Sequence, residues 1–250
     1  MVRDGKYARP EDEVLISCAR TRMSAEKAER ITALMHEELD WAYLVRLARW
    51  HSLAPLLFVH LNTTCPEAVP QTYWRQLREQ YHTNARHNLY LTGELLTLLR
   101  LFASHNIQAV PFKGPVLAAT MYGDLALRQF GDLDILVHHD RIRQAKDLLL
   151  ARGYQLPFPM TETQEDALLQ SCNAYALTRA GTSTVDLHWS LTRRSWPAPL
   201  DPEQLWEHLV PVMRRRARGV DFCTRRYPGG SLCTWRETSM VQITMAVRYW

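Results

Sequence analysis

Asp132 and Asp134 stand one residue apart at the entrance to an apolar, branched run, Leu133-Asp134-Ile135-Leu136-Val137. A buried strand alternates its side chains between two faces with a period of two. If Leu133 to Val137 is such a strand, both carboxylates leave it on one face, with Leu133 buried on the other. Two carboxylates placed together repel, and a divalent cation between or beside them is the usual remedy. The same letters also read as a solvated strand entry with two incidental acids, because Asp-x-Asp is short and common. The flanking sequence decides between these readings.

Upstream lie Val110-Pro111-Phe112-Lys113-Gly114-Pro115 and Ala118-Ala119-Thr120-Met121-Tyr122-Gly123-Asp124; Arg128 precedes Asp132 by four. Downstream, Thr184-Val185-Asp186-Leu187-His188-Trp189 reads as a second apolar strand carrying one acid. This ordered set resembles the bacterial uncharacterised nucleotidyltransferase family, within the nucleotidyltransferase superfamily and its polymerase-beta-like fold. The resemblance runs from about Asp40 to about His208 and includes the Asp40-Trp41 and Ala48-Arg49-Trp50-His51 segments. Order and spacing carry it, since each motif alone is short.

The resemblance implies transfer of a nucleoside monophosphate from a triphosphate to an acceptor. Magnesium suits such a site, because it favours oxygen ligands and shares its shell with phosphates; a pair of ions can stabilise both the attacking and the leaving oxygens. By motif match, Asp132 and Asp134 would hold the metals. Asp186 would be the third acid, a metal ligand and acceptor of the incoming hydroxyl's proton; it also reads as an exposed hairpin acid. Lys113-Gly114 stands where the superfamily has a Gly-Gly or Gly-Ser turn that binds triphosphate through backbone N–H groups. Here the turn is Lys-Gly-Pro, and Pro115 has no N–H to give, so Lys113 would supply charge instead. Arg128 reads equally as a triphosphate clamp and as a surface arginine. His188, two residues past Asp186, faces the same side; a third metal ligand or phosphate contact is open to it, and a hydrogen-bonded structural histidine is the favoured reading. His138 and His139 are expected to face solvent, and Trp50 and His51 to pack the helical region. Without metal, clustered acids should repel, so at least one should have a raised pKa. Asp134→Asn is expected to leave the fold as stable or slightly more so.

With 250 residues, 46% apolar and 22% charged, the chain can form one large or two small globular domains with a sizeable core. No apolar run approaches the length of a membrane span, and Met1 to Tyr7 is polar without a signal-like apolar region, so the expected compartment is the cytoplasm. Five scattered cysteines with no Cys-x-x-Cys argue against a disulfide framework or structural zinc. The net charge of +4 is unevenly placed. Residues 1–210 carry 22 basic and 24 acidic side chains, whereas residues 211–250 carry 8 arginines and 2 acids. The body therefore has no basic excess with which to bind nucleic-acid backbones.

Residues 1–105 read as helical, with Ser24 as a cap and one long periodic segment from Pro70 to His105 that has room for a break at Thr92-Gly93. Residues 106–210 change to strand period: Ile107 to Phe112, Leu133 to Val137, and a hairpin turning at Ala180-Gly181. Between them, Arg141 to Arg152 is amphipathic and ends at Gly153. The expected fold class is α/β (α+β), a helical N-terminal lobe on a small mixed sheet. Asp201 to His208 reads as one more helix. Residues 211–250 lack a convincing period and are expected to be an irregular basic tail, as a truncation or a reading-frame shift near residues 213–225 would produce.

The functional expectation is a magnesium-dependent nucleotidyltransferase with an NTP, ATP favoured, as donor. Its acceptor is open among a small molecule, a protein hydroxyl and an RNA end. The alternative is a catalytically silent protein of the same fold acting as a binding or regulatory partner.

Overall fold

Period 3.6 in the first hundred residues produces five helices: α1 (Pro10–Cys18), α2 (Ala25–Leu34), α3 (Trp41–Trp50), α4 (Ala54–Thr64) and α5 (Gln71–Ser104). The computed structural model describes residues 9–181, 183–192, 206, 221–227, 230–237 and 241–247, the last three segments by backbone alone. Pro10 and Pro55 lie in the first turns of α1 and α4, where a missing N–H costs no helical hydrogen bond. Ser24 caps α2 by accepting from the Lys27 N–H, and Asp40 caps α3 by accepting from the Tyr43 N–H.

One compact unit comprises Met1–Leu89 and Met121–Phe130. Its core joins Val14, Ile31, Leu34, Leu44, Leu57, Leu61 and Leu77 from all five helices. Burial of each such side chain contributes about 1.5–3 kcal/mol. Glu11 is also buried, and its carboxylate accepts the Asp40 N–H at 2.6 Å, tying α1 to the start of α3. The Cys18 thiol is pushed up to about 12, first by burial and then by Cys65 beside it. Cys18, Cys65 and Cys172 are all free thiols. Trp50, expected to pack, is instead 83% exposed, and His51 is exposed too. Both fall where α3 ends and the chain turns outward, so the apolar stripe of that helix is carried by Leu44, Val45 and Ala48.

Two asparagines of α5 hold the return segment in this unit. Asn84 Nδ2 donates to the Ala126 carbonyl at 2.8 Å and the Arg128 carbonyl at 3.3 Å. Asn88 Nδ2 donates to the Leu125 carbonyl at 2.6 Å and the Arg128 carbonyl at 2.7 Å. These bonds satisfy carbonyls of the single 3-10 turn Leu125–Leu127 and its exit, which no longer helix or sheet satisfies. Helix α5 itself runs unbroken for 34 residues. A single Gly93 costs only about 1 kcal/mol against alanine, less than burial of Leu91, Leu95, Leu98 and Phe102 returns.

The second unit comprises Tyr90–Thr120 and Gly131–Trp250. One of its sheets holds β1 (Ala109–Phe112), β2 (Asp132–Val137), β3 (Ala174–Arg179) and β4 (Ser183–His188), in the spatial order β1-β2-β4-β3. Strand β2 runs parallel to β4 and antiparallel to β1, and β3 is antiparallel to β4. Pro111 is tolerated because β1 is at the edge of this order. The helices are α6 (Gly114–Leu117), α7 (Ile142–Ala151) and α8 (Glu162–Ser171). Register aligns Leu133 with Val185 and Ile135 with Leu187, with Leu177 and Tyr175 beyond them on β3, all buried. That apolar face is the core side, and α7 lies against β4 with Ile142, Ala145 and Leu149 buried. Gly153, at φ +85°, ends α7: its N–H and that of Tyr154 donate back to Leu150 and Leu149, the left-handed stop expected from the sequence. Tyr154 then donates to Glu94 at 3.0 Å and shares a 2.7 Å hydrogen bond with Ser183, joining α5 to β4. The fold is mixed α/β, with eight helices and this four-stranded mixed sheet among the described residues.

The segment expected to be irregular contains β5 (Asp221–Tyr227), β6 (Gly230–Glu237) and β7 (Val241–Val247), an antiparallel sheet in that order. Tyr227 pairs with Gly230, so only Pro228 and Gly229 separate the first two strands. Aromatic and β-branched residues such as Phe222, Thr224, Trp235 and Ile243 favour strands. A search for a helical period passes over such runs. The helix expected over Asp201 to His208 lies, apart from Trp206, outside the described residues. No helix among the described residues is long and apolar enough to cross a membrane.

Asn88→Ala removes the donor shared by the Leu125 and Arg128 carbonyls. It should destabilise the chain by about 2–3 kcal/mol in chemical denaturation, with native far-ultraviolet dichroism retained. A change under half of that would show that water replaces the amide.

Candidate metal centre

Parallel pairing of β2 with β4 sets Asp134 directly opposite Asp186, and Asp132 opposite Thr184. Asp132, Asp134, Asp186 and His188 therefore share the sheet face opposite Leu133 and Val185. Asp134 is 3% exposed, His188 is 7% exposed and Asp186 is half-buried. One ligand atom each from Asp134, Asp186 and His188 lie within 4.8 Å of one another. Asp132, the half-buried first residue of β2, is outside that group, and His188 takes the third place. The spacing Asp186-x-His188 was the available signal for His188, since period two puts both on one face.

Three groups surround the Asp134 carboxylate. Lys113 Nζ donates to Oδ1 at 2.6 Å, and His188 Nε2 approaches the same oxygen at 3.3 Å. The Phe112 ring, across the β1–β2 ladder from Asp134, meets the His188 ring edge-on at 4.8 Å and fixes its plane. His188 Nδ1 is buried without a hydrogen-bond partner. The tautomer that carries its proton on Nε2 would leave Nδ1 a bare lone pair, which is cheaper to bury than an unpaired N–H.

The two acids respond oppositely to their surroundings. Burial alone would raise Asp134, but hydrogen bonds from His188 and Lys113 outweigh it and hold the carboxyl below its ordinary value. Asp186 is raised: burial pushes it up, His188 opposes, and the charges of Asp134 and Asp132 add to the rise. One raised acid was the sequence expectation, and Asp186 bears it.

Lys113 reaches Asp134 from a backbone at φ +60°, ψ −145°, a conformation nearly reserved for glycine that costs about 1–3 kcal/mol. Gly114 follows at φ +33° as the buried first residue of α6. Arg128 belongs to the helical unit, half-buried, with its guanidinium carbon 5.9 Å from the Phe130 ring centre. His138, expected in solvent, stacks on Trp206 at 3.8 Å, while His139 is exposed.

Two carboxylates and an imidazole form a donor set that divalent cations accept. The ammonium already seated on Asp134 shows that positive charge fits there. A family described as uncharacterised nucleotidyltransferase matches residues 37–219. The chain belongs to that family. No curated protein and no solved structure matches it.

The pKa directions carry a sign. Asp134, lowered in the fold, contributes stability above the ordinary carboxylate range that is lost as pH falls through its folded value. Asp186, raised in the fold, opposes folding increasingly as pH rises past the ordinary carboxylate value and fully once pH exceeds its folded value; it contributes nothing where both states are protonated. Metal-free Asp186→Asn should therefore be more stable than the parent at pH 7, the gain fading below about pH 4. Asp134→Asn should be less stable at pH 7, because it strands Lys113 and His188; this reverses the expectation from like-charge repulsion alone. Urea titrations across pH check both, and a destabilised Asp186→Asn at pH 7 would contradict the assignment.

Proposed function

We propose that this chain is a metal-dependent nucleotidyltransferase that moves a nucleoside monophosphate from an NTP, ATP favoured, onto a hydroxyl-bearing acceptor and releases pyrophosphate. The observation that carries the reading is the Asp134–Asp186–His188 cluster on one sheet face in a member of this family. Asp134, buried and held ionised, is the anchoring ligand; Asp186 and His188 complete the set, and Asp132 lies on the same face nearer the strand's start. Magnesium is the favoured ion, and with an imidazole among the donors manganese should serve as well. A bound divalent cation would offset charge on the phosphate oxygens. Asp186, with its raised pKa, suits acceptance of the incoming hydroxyl's proton. Lys113 and Gly114 are proposed at the triphosphate.

The Lys113–Asp134 ion pair favours a second reading, since an acid neutralised by the chain itself also suits a silent binding protein. Incubation with each α-labelled NTP, magnesium or manganese, and cell extract separates the two. Transfer is expected to be lost in Asp134→Asn. Nucleotide binding with no labelled product under any condition would favour the silent protein.

A further inference from the structure

Lys113 occupies an oxygen that a metal ion at this cluster would take. Its Nζ is 2.6 Å from Asp134 Oδ1, and the side chain is 53% exposed where that of Asp134 is 2% exposed. The buried acid thus meets solvent through a side chain that can leave without unpacking the core. Its backbone is the strained one, so the chain spends conformational energy to aim an ammonium at this oxygen. A buried carboxylate without a counter-charge is costly, and Lys113 removes that cost in the absence of metal. One positive charge leaves a pair of facing acids half neutralised.

We propose that Lys113 is a displaceable internal cation, neutralising Asp134 until a divalent ion takes Oδ1 and then freed for a phosphate group. The proposal rests on the reading of Asp134, Asp186 and His188 as a metal centre. It makes metal affinity a competition, with the lysine as the opposing ligand of Asp134. It also orders the site: Lys113 is available to an anion only once a metal is present, so metal and triphosphate binding reinforce each other.

Manganese binding to the full chain, read from the electron paramagnetic resonance of the free ion, tests the competition without reference to catalysis. Lys113→Met should bind manganese about tenfold tighter than the parent, because no charge-assisted hydrogen bond has to be broken first. Lys113→Arg, which keeps the charge, should bind no tighter. Equal or weaker binding by Lys113→Met overturns the proposal. In the parent chain, amine acetylation read by mass spectrometry should rise severalfold at Lys113 on adding manganese, with Lys27 and Lys146 as internal references. Labelling of Lys113 that ignores manganese overturns the proposal even if Lys113→Met fails to fold. Parental manganese affinity in Asp134→Asn would instead remove the metal centre itself, and the competition with it.

Discussion

Parallel register between β2 and β4 is the constraint from which the site follows. Leu133, Ile135, Val185 and Leu187 are fully buried on one face, and their burial is worth about 1.5–3 kcal/mol each. A slip of one residue in either strand would turn that strand's apolar pair outward and drive its acid into the core. Two unit charges 4.8 Å apart repel by about 3–4 kcal/mol at an effective dielectric of about 20. The apolar face therefore outweighs the electrostatic cost and holds Asp134 against Asp186. The juxtaposition is enforced by the opposite side of the sheet.

The neighbours then make two identical side chains unlike. Asp134 is enclosed by Lys113, His188 and Phe112, so it remains charged despite burial. Asp186, less enclosed than Asp134, is raised first by its own burial, and the charges of Asp134 and Asp132 add to the rise. Environments that separate the pKa values of paired carboxylates are a common basis for dividing anchoring from proton transfer. The proposed roles follow that division.

Much of this was legible in the sequence because period two and period 3.6 are local signals. They carried the helical first hundred residues, the two acid-bearing strands and the Gly153 stop. What escaped depends on neighbours distant in sequence. Period two placed His188 on the acidic face, but only the β2–β4 pairing shows it reaching Asp134 while Asp132, one pleat away, does not. Trp50 looked like core because tryptophan usually is, yet it stands beyond the reach of its helix's apolar stripe. The strands after residue 220 were hidden by arginines among the β-prone residues. Those strands also lie beyond the segment that the family match covers, so the family resemblance gave no help there.

That boundary bears on what the site binds. The basic excess of the chain is confined to residues 211–250, whereas the family segment lies almost wholly within the stretch where acids outnumber bases. General attraction for phosphate backbones would require a broad positive surface, and the body's charges do not supply one. A triphosphate could be held there only by a few placed cations. Placed cations have to be kept from collapsing permanently onto nearby carboxylates. Lys113, exposed, strained and already bound to Asp134, faces that problem most directly. Under the proposed function its solution is an exchange, because the buried acid always needs a positive partner and a phosphate would need one only when it arrives.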